Sequence, residues 1–99
     1  VIVIVLNNGM LGMVAQWQRM FYKGRYSATR LGRSPDFVEL ARAYGAYGER
    51  VESLDQLSSV LRRALSSDVA TIIDVPIDPE ENVLPMVPPG KSIDAMIVT

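Results

Sequence analysis

The hydrophobic positions of this chain change period several times, and each change marks an element. Val1 to Leu6 is an unbroken β-branched and aliphatic run stopped by Asn7-Asn8-Gly9. That pattern predicts a strand buried on both faces, as in a parallel sheet. From Met10 to Tyr22 the residues Met10, Met13, Val14, Trp17 and Phe21 recur at spacings of three and four. They predict a helix with one apolar stripe and with Gln16, Gln18 and Arg19 elsewhere on its surface. Lys23 to Arg33 is basic, small and glycine-containing, and predicts a loop. Ser34-Pro35 predicts a helix start, an N-cap hydroxyl followed by proline at the first helical position. Phe37, Leu40, Ala41 and Tyr44 carry that helix to Gly45.

Glu49 to Glu52 predicts a short strand. Ser53-Leu54-Asp55-Gln56 has the spacing of a capping box, with Leu57, Val60, Leu61, Ala64 and Leu65 on one helical face behind it. Val69 to Val75 predicts another buried strand. Pro76 to Thr99 contains Pro76, Pro79, Pro85, Pro88 and Pro89 and must be largely irregular or extended. The order is therefore strand, helix, helix, strand, helix, strand and an extended tail. It predicts an α/β fold, a three-layer parallel-sheet sandwich with right-handed crossovers.

Composition narrows the chemistry more than the fold. At 99 residues the chain is at most one small domain, burying roughly 60–65% of its unfolded surface. Ten basic against eleven acidic side chains leave a net charge of −1, which gives no reason to expect a nucleic-acid or membrane partner. There is no cysteine and no histidine. Disulfides, thiolate chemistry and imidazole bases are thereby excluded, and any metal must take oxygen ligands, which points to magnesium or calcium. Val1–Leu6 is too short for a signal peptide or a membrane span, so a soluble cytoplasmic protein is expected, or a plastid or mitochondrial one in a eukaryote. A start on Val within an apolar run predicts a fragment whose upstream part is missing.

In open α/β sheets ligands bind beyond the carboxyl ends of the strands. Asn7, Asn8 and Gly9 lie at such an end, immediately before a helix. An Asn side chain there can ligate a hard cation, and the helix N-terminus favours an anionic group such as a diphosphate. By itself, Asn-Asn-Gly after a strand is a weak signal and more often an ordinary turn. Asp78, Glu80 and Glu81 sit in a polar turn beside Pro79 and read as solvated charges, as do Lys91 and Asp94; Arg25 and Arg30 read as an exposed basic loop.

The wider string is more specific. Leu6-Asn7-Asn8-Gly9-Met10-Leu11-Gly12-Met13-Val14 followed by Gln16-Trp17-Gln18 resembles a segment of the acetohydroxyacid (acetolactate) synthases. Matching segments follow in the same order: Phe21-Tyr22 with Arg25-Tyr26-Ser27; Pro35-Asp36-Phe37; Ala43-Tyr44-Gly45; and Glu81-Asn82-Val83-Leu84-Pro85-Met86-Val87-Pro88-Pro89-Gly90. The double Asn is shared by thiamine-diphosphate enzymes generally, whereas Gln-Trp-Gln and the Leu-Pro-Met-Val-Pro-Pro-Gly tail are much more specific to the synthases.

The resemblance implies that residues 1–77 are the C-terminal half of a thiamine-diphosphate-binding domain and residues 78–99 a C-terminal tail. The family decarboxylates pyruvate on thiamine diphosphate and condenses the product with pyruvate or 2-ketobutyrate in branched-chain amino-acid biosynthesis. It implies Mg2+ ligated by the Asn8 side chain and the Met10 carbonyl, with Asn8, Met10, Gly12 and Met13 against the cofactor. Met13, Val14 and Trp17 would line the substrate channel, where the Trp also belongs to a herbicide site; the alternative role of Trp17 is a core residue of an amphipathic helix. FAD is expected in the full-length enzyme but not on this segment. The implied partners are the rest of the catalytic subunit, a homodimer or homotetramer, and a regulatory small subunit.

The segment departs from the family in Gly9-Met10, where a more polar or aromatic pair is common, and in Ala28, where many relatives carry His. No Gly-Asp-Gly occurs in the chain, so the family's Asp metal ligand is lacking. So is the activating Glu, which the family supplies from a neighbouring subunit. The isolated chain is therefore expected to be inactive, and to associate or aggregate through an uncovered strand edge. Two other readings are a different thiamine-diphosphate carboligase or decarboxylase, and a non-catalytic interaction module of the same fold.

Overall fold

In the computed structural model, which describes residues 1–99, three short parallel strands form one sheet in the order β1-β3-β2. The elements are β1 (Ile2–Asn7), α1 (Gly12–Phe21), α2 (Phe37–Ala43), β2 (Tyr47–Arg50), α3 (Leu54–Leu65) and β3 (Thr71–Pro76), followed by a 3-10 turn at Ile93–Ala95. β1 pairs with β3 from Ile2 opposite Thr71 to Asn7 opposite Pro76. β2 pairs with β3 from Tyr47 opposite Thr71 to Arg50 opposite Asp74. No helix is long and apolar enough to cross a membrane.

Side chains alternate across a strand, and β2 shows which helix covers which face. Glu49 accepts from Arg63 of α3 (2.6 Å). A Cβ on Gly48, the preceding residue, would lie 2.8 Å from the Ala41 Cβ and 2.8 Å from the Val38 carbonyl of α2. The two helices therefore cover opposite faces, giving the expected three layers. The core lies on the α3 face, where Val51, Val60 and Ile73 are buried and Ile2, Leu57, Leu61 and Val75 pack around them.

Local capping differs from the sequence reading in two places. α2 is capped by Asp36, not Ser34: the Asp36 carboxylate accepts from the amides of Val38 (2.9 Å) and Glu39 (3.1 Å). A charged cap answers both the orphan amides and the helix dipole, and the helix starts at Phe37, too far along the chain for Ser34 to be its N-cap. α3 is capped by Ser53 as expected, with the Gln56 amide donating to its hydroxyl at 3.3 Å. The Gln56 side chain, however, accepts from the Glu52 amide (2.7 Å), one residue earlier than a capping box requires.

The expected burial of β1 and of the α1 stripe does not hold within this chain. β1 is an edge strand, and Val3, Ile4 and Leu6 are largely exposed. Met13, Val14, Trp17 and Phe21 face outward, and the buried residues of α1 are Ala15 and Gln16. The reason is that α1 packs on the tail and the 26–30 loop rather than on the sheet, so its polar side is the one that is covered. β2 begins two residues earlier than expected because Gly45, at φ +69°, reverses the chain directly after α2. The tail is irregular apart from the 3-10 turn and an antiparallel bridge between Met86 and Ile97.

Candidate functional site

The loop joining β1 to α1 is built by its own side chains. The Asn7 side-chain oxygen accepts from the Gly9 amide (3.1 Å), and the Asn8 oxygen accepts from the Met10 amide (3.0 Å). Two successive Asx turns thus curl the chain, with Gly9 at φ +64° where a side chain would be strained. Met10 then faces Arg30 in an antiparallel bridge. The bridging bonds run through the neighbours: the Leu11 amide donates to the Thr29 carbonyl (2.8 Å) and the Leu31 amide to the Gly9 carbonyl (2.9 Å). In such a pair the central residues direct their own backbone groups away from the partner strand, so the Met10 carbonyl lies outside the ladder.

Gly12, the first residue of α1, completes this arrangement. A Cβ there would lie 2.6 Å from the Asn8 amide nitrogen, so the Asn8 side chain occupies the space that any other residue would fill. The loop therefore brings Asn8, Met10 and Gly12 together at the carboxyl end of β1. It offers two neutral oxygen donors, the Asn8 side chain and the Met10 carbonyl, beside a helix N-terminus whose first turn carries no acidic residue. Hard oxygens of this kind suit Mg2+, and the N-terminus suits a diphosphate. The donor set is partial, because Mg2+ takes near-octahedral oxygen coordination and these are two donors; no group of three Asp, Glu, His or Cys side chains is gathered elsewhere in the chain.

Behind the loop, a polar row crosses the sheet on the α2 face. The Asn7 side-chain amide donates to the Asp74 carboxylate (3.0 Å), which also accepts from Arg50 Nε (2.8 Å). Arg50 reaches on to Asp36, the α2 cap, at 3.7 Å. Asp74 is fully buried and raises the Arg50 guanidinium above its ordinary value through their hydrogen bond and charge. Asp36 is held below the usual carboxylate range, chiefly by the Glu39 amide. The sequence reading assigned nothing to Asp74. The available signal was a lone carboxylate inside an apolar strand, which must be paired if buried.

α1 divides its two sides between fastening and exposure. On the inner side Gln16, 2% exposed, donates to the Val83 carbonyl (3.0 Å) and accepts from the Val83 amide (2.7 Å). Arg19 donates to the Pro79 carbonyl (2.8 Å), Glu80 (2.9 Å), Tyr26 (3.0 Å) and Asn82. Gln18 accepts from the Ser27 amide (3.0 Å) and the Thr29 hydroxyl (3.2 Å). All three were expected on the free surface, and instead they fasten the tail and the 26–30 loop. The fastening also gives Glu80 a partner, where a solvated charge was expected.

On the outer side Met13, Val14 and Trp17 form one exposed patch. Trp17 meets Phe21 edge-on, ring centroids 6.4 Å apart. Together with Tyr22, Pro88, Pro89 and Lys91 they line a cleft of about 370 Å³. Met13 and Val14 lie on the same helix but outside that cleft.

Comparison with known proteins adds the family. The model of the thiamine pyrophosphate enzyme C-terminal TPP binding domain matches residues 1–75. The chain is 44% identical to the acetolactate synthase isozyme 2 large subunit of Escherichia coli over 96% of its length, and 46% identical to a probable acetolactate synthase large subunit of Methanocaldococcus jannaschii over 98%. It spans only 17% and 16% of those two proteins. Among solved structures, a thiamine diphosphate-dependent 4-hydroxybenzoylformate decarboxylase of Rhodococcus jostii superposes on 79% of the chain with a TM-score of 0.70 and 29% identity, the match being 15% of that protein.

Proposed function

This chain belongs to the thiamine pyrophosphate enzymes, within their C-terminal TPP-binding domain, and from that membership we propose that it serves in an acetolactate synthase large subunit. The carrying observation is the β1–α1 loop, where the Asn8 side chain lies in the space left by Gly12 and the Met10 carbonyl stands clear of the backbone ladder. In the proposal Asn8 Oδ1 and the Met10 carbonyl ligate Mg2+, and Gly12 and Met13 border the cofactor at the start of α1. An amide oxygen has two lone pairs, so Asn8 can keep its bond to the Met10 amide while it ligates.

When bound, thiamine diphosphate supplies the electron sink for decarboxylating pyruvate and joining the product to pyruvate or 2-ketobutyrate. The chain's own residues orient the diphosphate end and shape the approach. Met13, Val14 and Trp17 line the substrate channel, and the Trp17 ring separates the two acceptors by contact with one methylene, worth roughly 1–3 kcal/mol. The rest of the subunit supplies the Gly-Asp-Gly carboxylate and the FAD site, and a second subunit the activating Glu. A homodimer or homotetramer with a regulatory small subunit, in the cytoplasm or an organelle, follows from the same reading.

The test is an assay of the subunit that carries this chain, with pyruvate, Mg2+ and thiamine diphosphate. Acetolactate formation that Asn8→Ala abolishes, together with a shift of about tenfold or more in 2-ketobutyrate preference for Trp17→Leu, is expected. Decarboxylation to free aldehyde without carboligation would favour the decarboxylase reading, which the Rhodococcus structural likeness keeps in view.

A further inference from the structure

We propose that Asp74 is a positioning residue for the metal-holding loop, acting through Asn7; the inference rests on the functional reading above. The argument begins with the cost of the arrangement. A carboxylate with no exposed surface sits on the central strand of a small sheet, where burial of a charge is unfavourable unless every oxygen is engaged. Both oxygens are: Oδ1 accepts from Asn7 and Oδ2 from Arg50. An apolar residue at this position would pack without such demands, so the carboxylate does something that packing does not require.

What it does is set the orientation of one amide. With its nitrogen fixed on Asp74, the Asn7 side chain must turn its oxygen the other way, toward the loop, where it accepts from the Gly9 amide at 3.1 Å. That bond forms the first of the two Asx turns, and the second, from Asn8 to the Met10 amide, starts from the backbone the first has placed. Arg50, held in turn by Asp36 at the start of α2, keeps the Asp74 carboxylate in its rotamer. The row therefore runs from α2 across β2, β3 and β1 to the loop that presents Asn8 and Met10. Neither Asp74 nor Asn7 touches the metal position in this scheme.

The experiment is calorimetric titration of the whole subunit with Mg2+ in the presence of thiamine diphosphate, comparing wild type, Asn7→Ala, Asp74→Leu, which leaves no acceptor for Asn7, and the double variant. Asn7 lies half-buried at the end of β1, so Asn7→Ala tests the idea even where Asp74→Leu impairs folding. Each single variant is expected to raise the half-saturating Mg2+ concentration about tenfold. The double variant should raise it about tenfold also, because both changes cut one contact. The loss should reside in Mg2+ half-saturation rather than in kcat at saturating Mg2+, and the Gly9 amide should exchange faster in every variant. Wild-type Mg2+ affinity in Asn7→Ala, or losses that multiply to about a hundredfold in the double variant, overturns the inference alone. A wild-type subunit that binds no thiamine diphosphate with Mg2+ overturns the functional reading and this inference with it.

Discussion

Ile73 on the central strand and Leu6 on the edge strand are both aliphatic residues of parallel strands, yet Ile73 is fully buried and Leu6 is 64% exposed. The β2–α3–β3 half of the molecule holds most of the core: α3 lays Leu57, Val60 and Leu61 over Ile73 and Val75, Val51 closes the end, and from β1 only Ile2 joins them. The β1–α1 half also carries an apolar sequence and leaves most of its large side chains, Val3, Ile4, Leu6, Met13, Val14 and Trp17, uncovered along the strand and the helix. Apolar area gains free energy only when something removes it from water. The first half is thus a small core, and the second a surface shaped for contact, with the candidate cofactor loop between its two elements. The chain spans about one sixth of the length of the two acetolactate synthase relatives, and under the function proposed above the rest of such a subunit would cover that surface.

The contrast can be broken most directly in the core. Ile73→Ala should cost about 2–5 kcal/mol in urea unfolding, whereas Leu6→Ala in the 99-residue chain should change stability by no more than about 0.5 kcal/mol. Similar losses at both positions would mean that β1 is already covered in solution, for example by a second copy. Light scattering gives the complementary view, with concentration-dependent association expected through the open edge of β1; a strict monomer at high concentration would contradict it.

Two glycines sharpen the comparison at the next level. Gly48→Ala drives a methyl onto the Val38 backbone and should cost about 1–3 kcal/mol by separating α2 from the sheet. Gly12→Ala meets only the end of the Asn8 side chain, and alanine favours a helix by up to about 1 kcal/mol. It should therefore leave stability unchanged or slightly raised while displacing Asn8 and weakening Mg2+ binding by the subunit. A Gly12→Ala variant that is destabilised but binds Mg2+ normally would reverse the assignment.

The smallest effect concerns the tail. Gln16→Ala removes the partner of the Val83 amide and carbonyl, and because Val83 is exposed water replaces it at a cost of about 0.5–1.5 kcal/mol. Because the tail adds little to the core, the loss should appear as faster amide exchange at Val83 with little change in global unfolding. Unchanged exchange there would mean that Arg19 alone secures the segment.

Much of the fold was legible because it rests on local rules. The apolar runs and helical stripes marked β1, β3 and the three α-helices, β2 was placed two residues late, and Gly45 and Ser53 ended and began helices where expected. The departures came where a side chain finds a distant partner. Gln16 reads as a surface residue by helical spacing and is buried because Val83, far along the chain, takes both ends of its amide. Asp36 outcompeted Ser34 as a cap because only the folded chain shows which oxygen reaches two amides. For the site, the Asn-Asn-Gly turn was visible in the sequence, but its geometry depends on Asp74, which no spacing rule connects to Asn7.

The measurement that tests this account most directly is Mg2+-dependent binding of thiamine diphosphate by the subunit carrying this chain, wild type against Asn8→Ala. The account predicts binding in the wild type and its loss, by about a hundredfold or more in Mg2+ affinity, when the Asn8 oxygen is removed. Equal binding by the two proteins would contradict it and move the cofactor away from the β1–α1 loop.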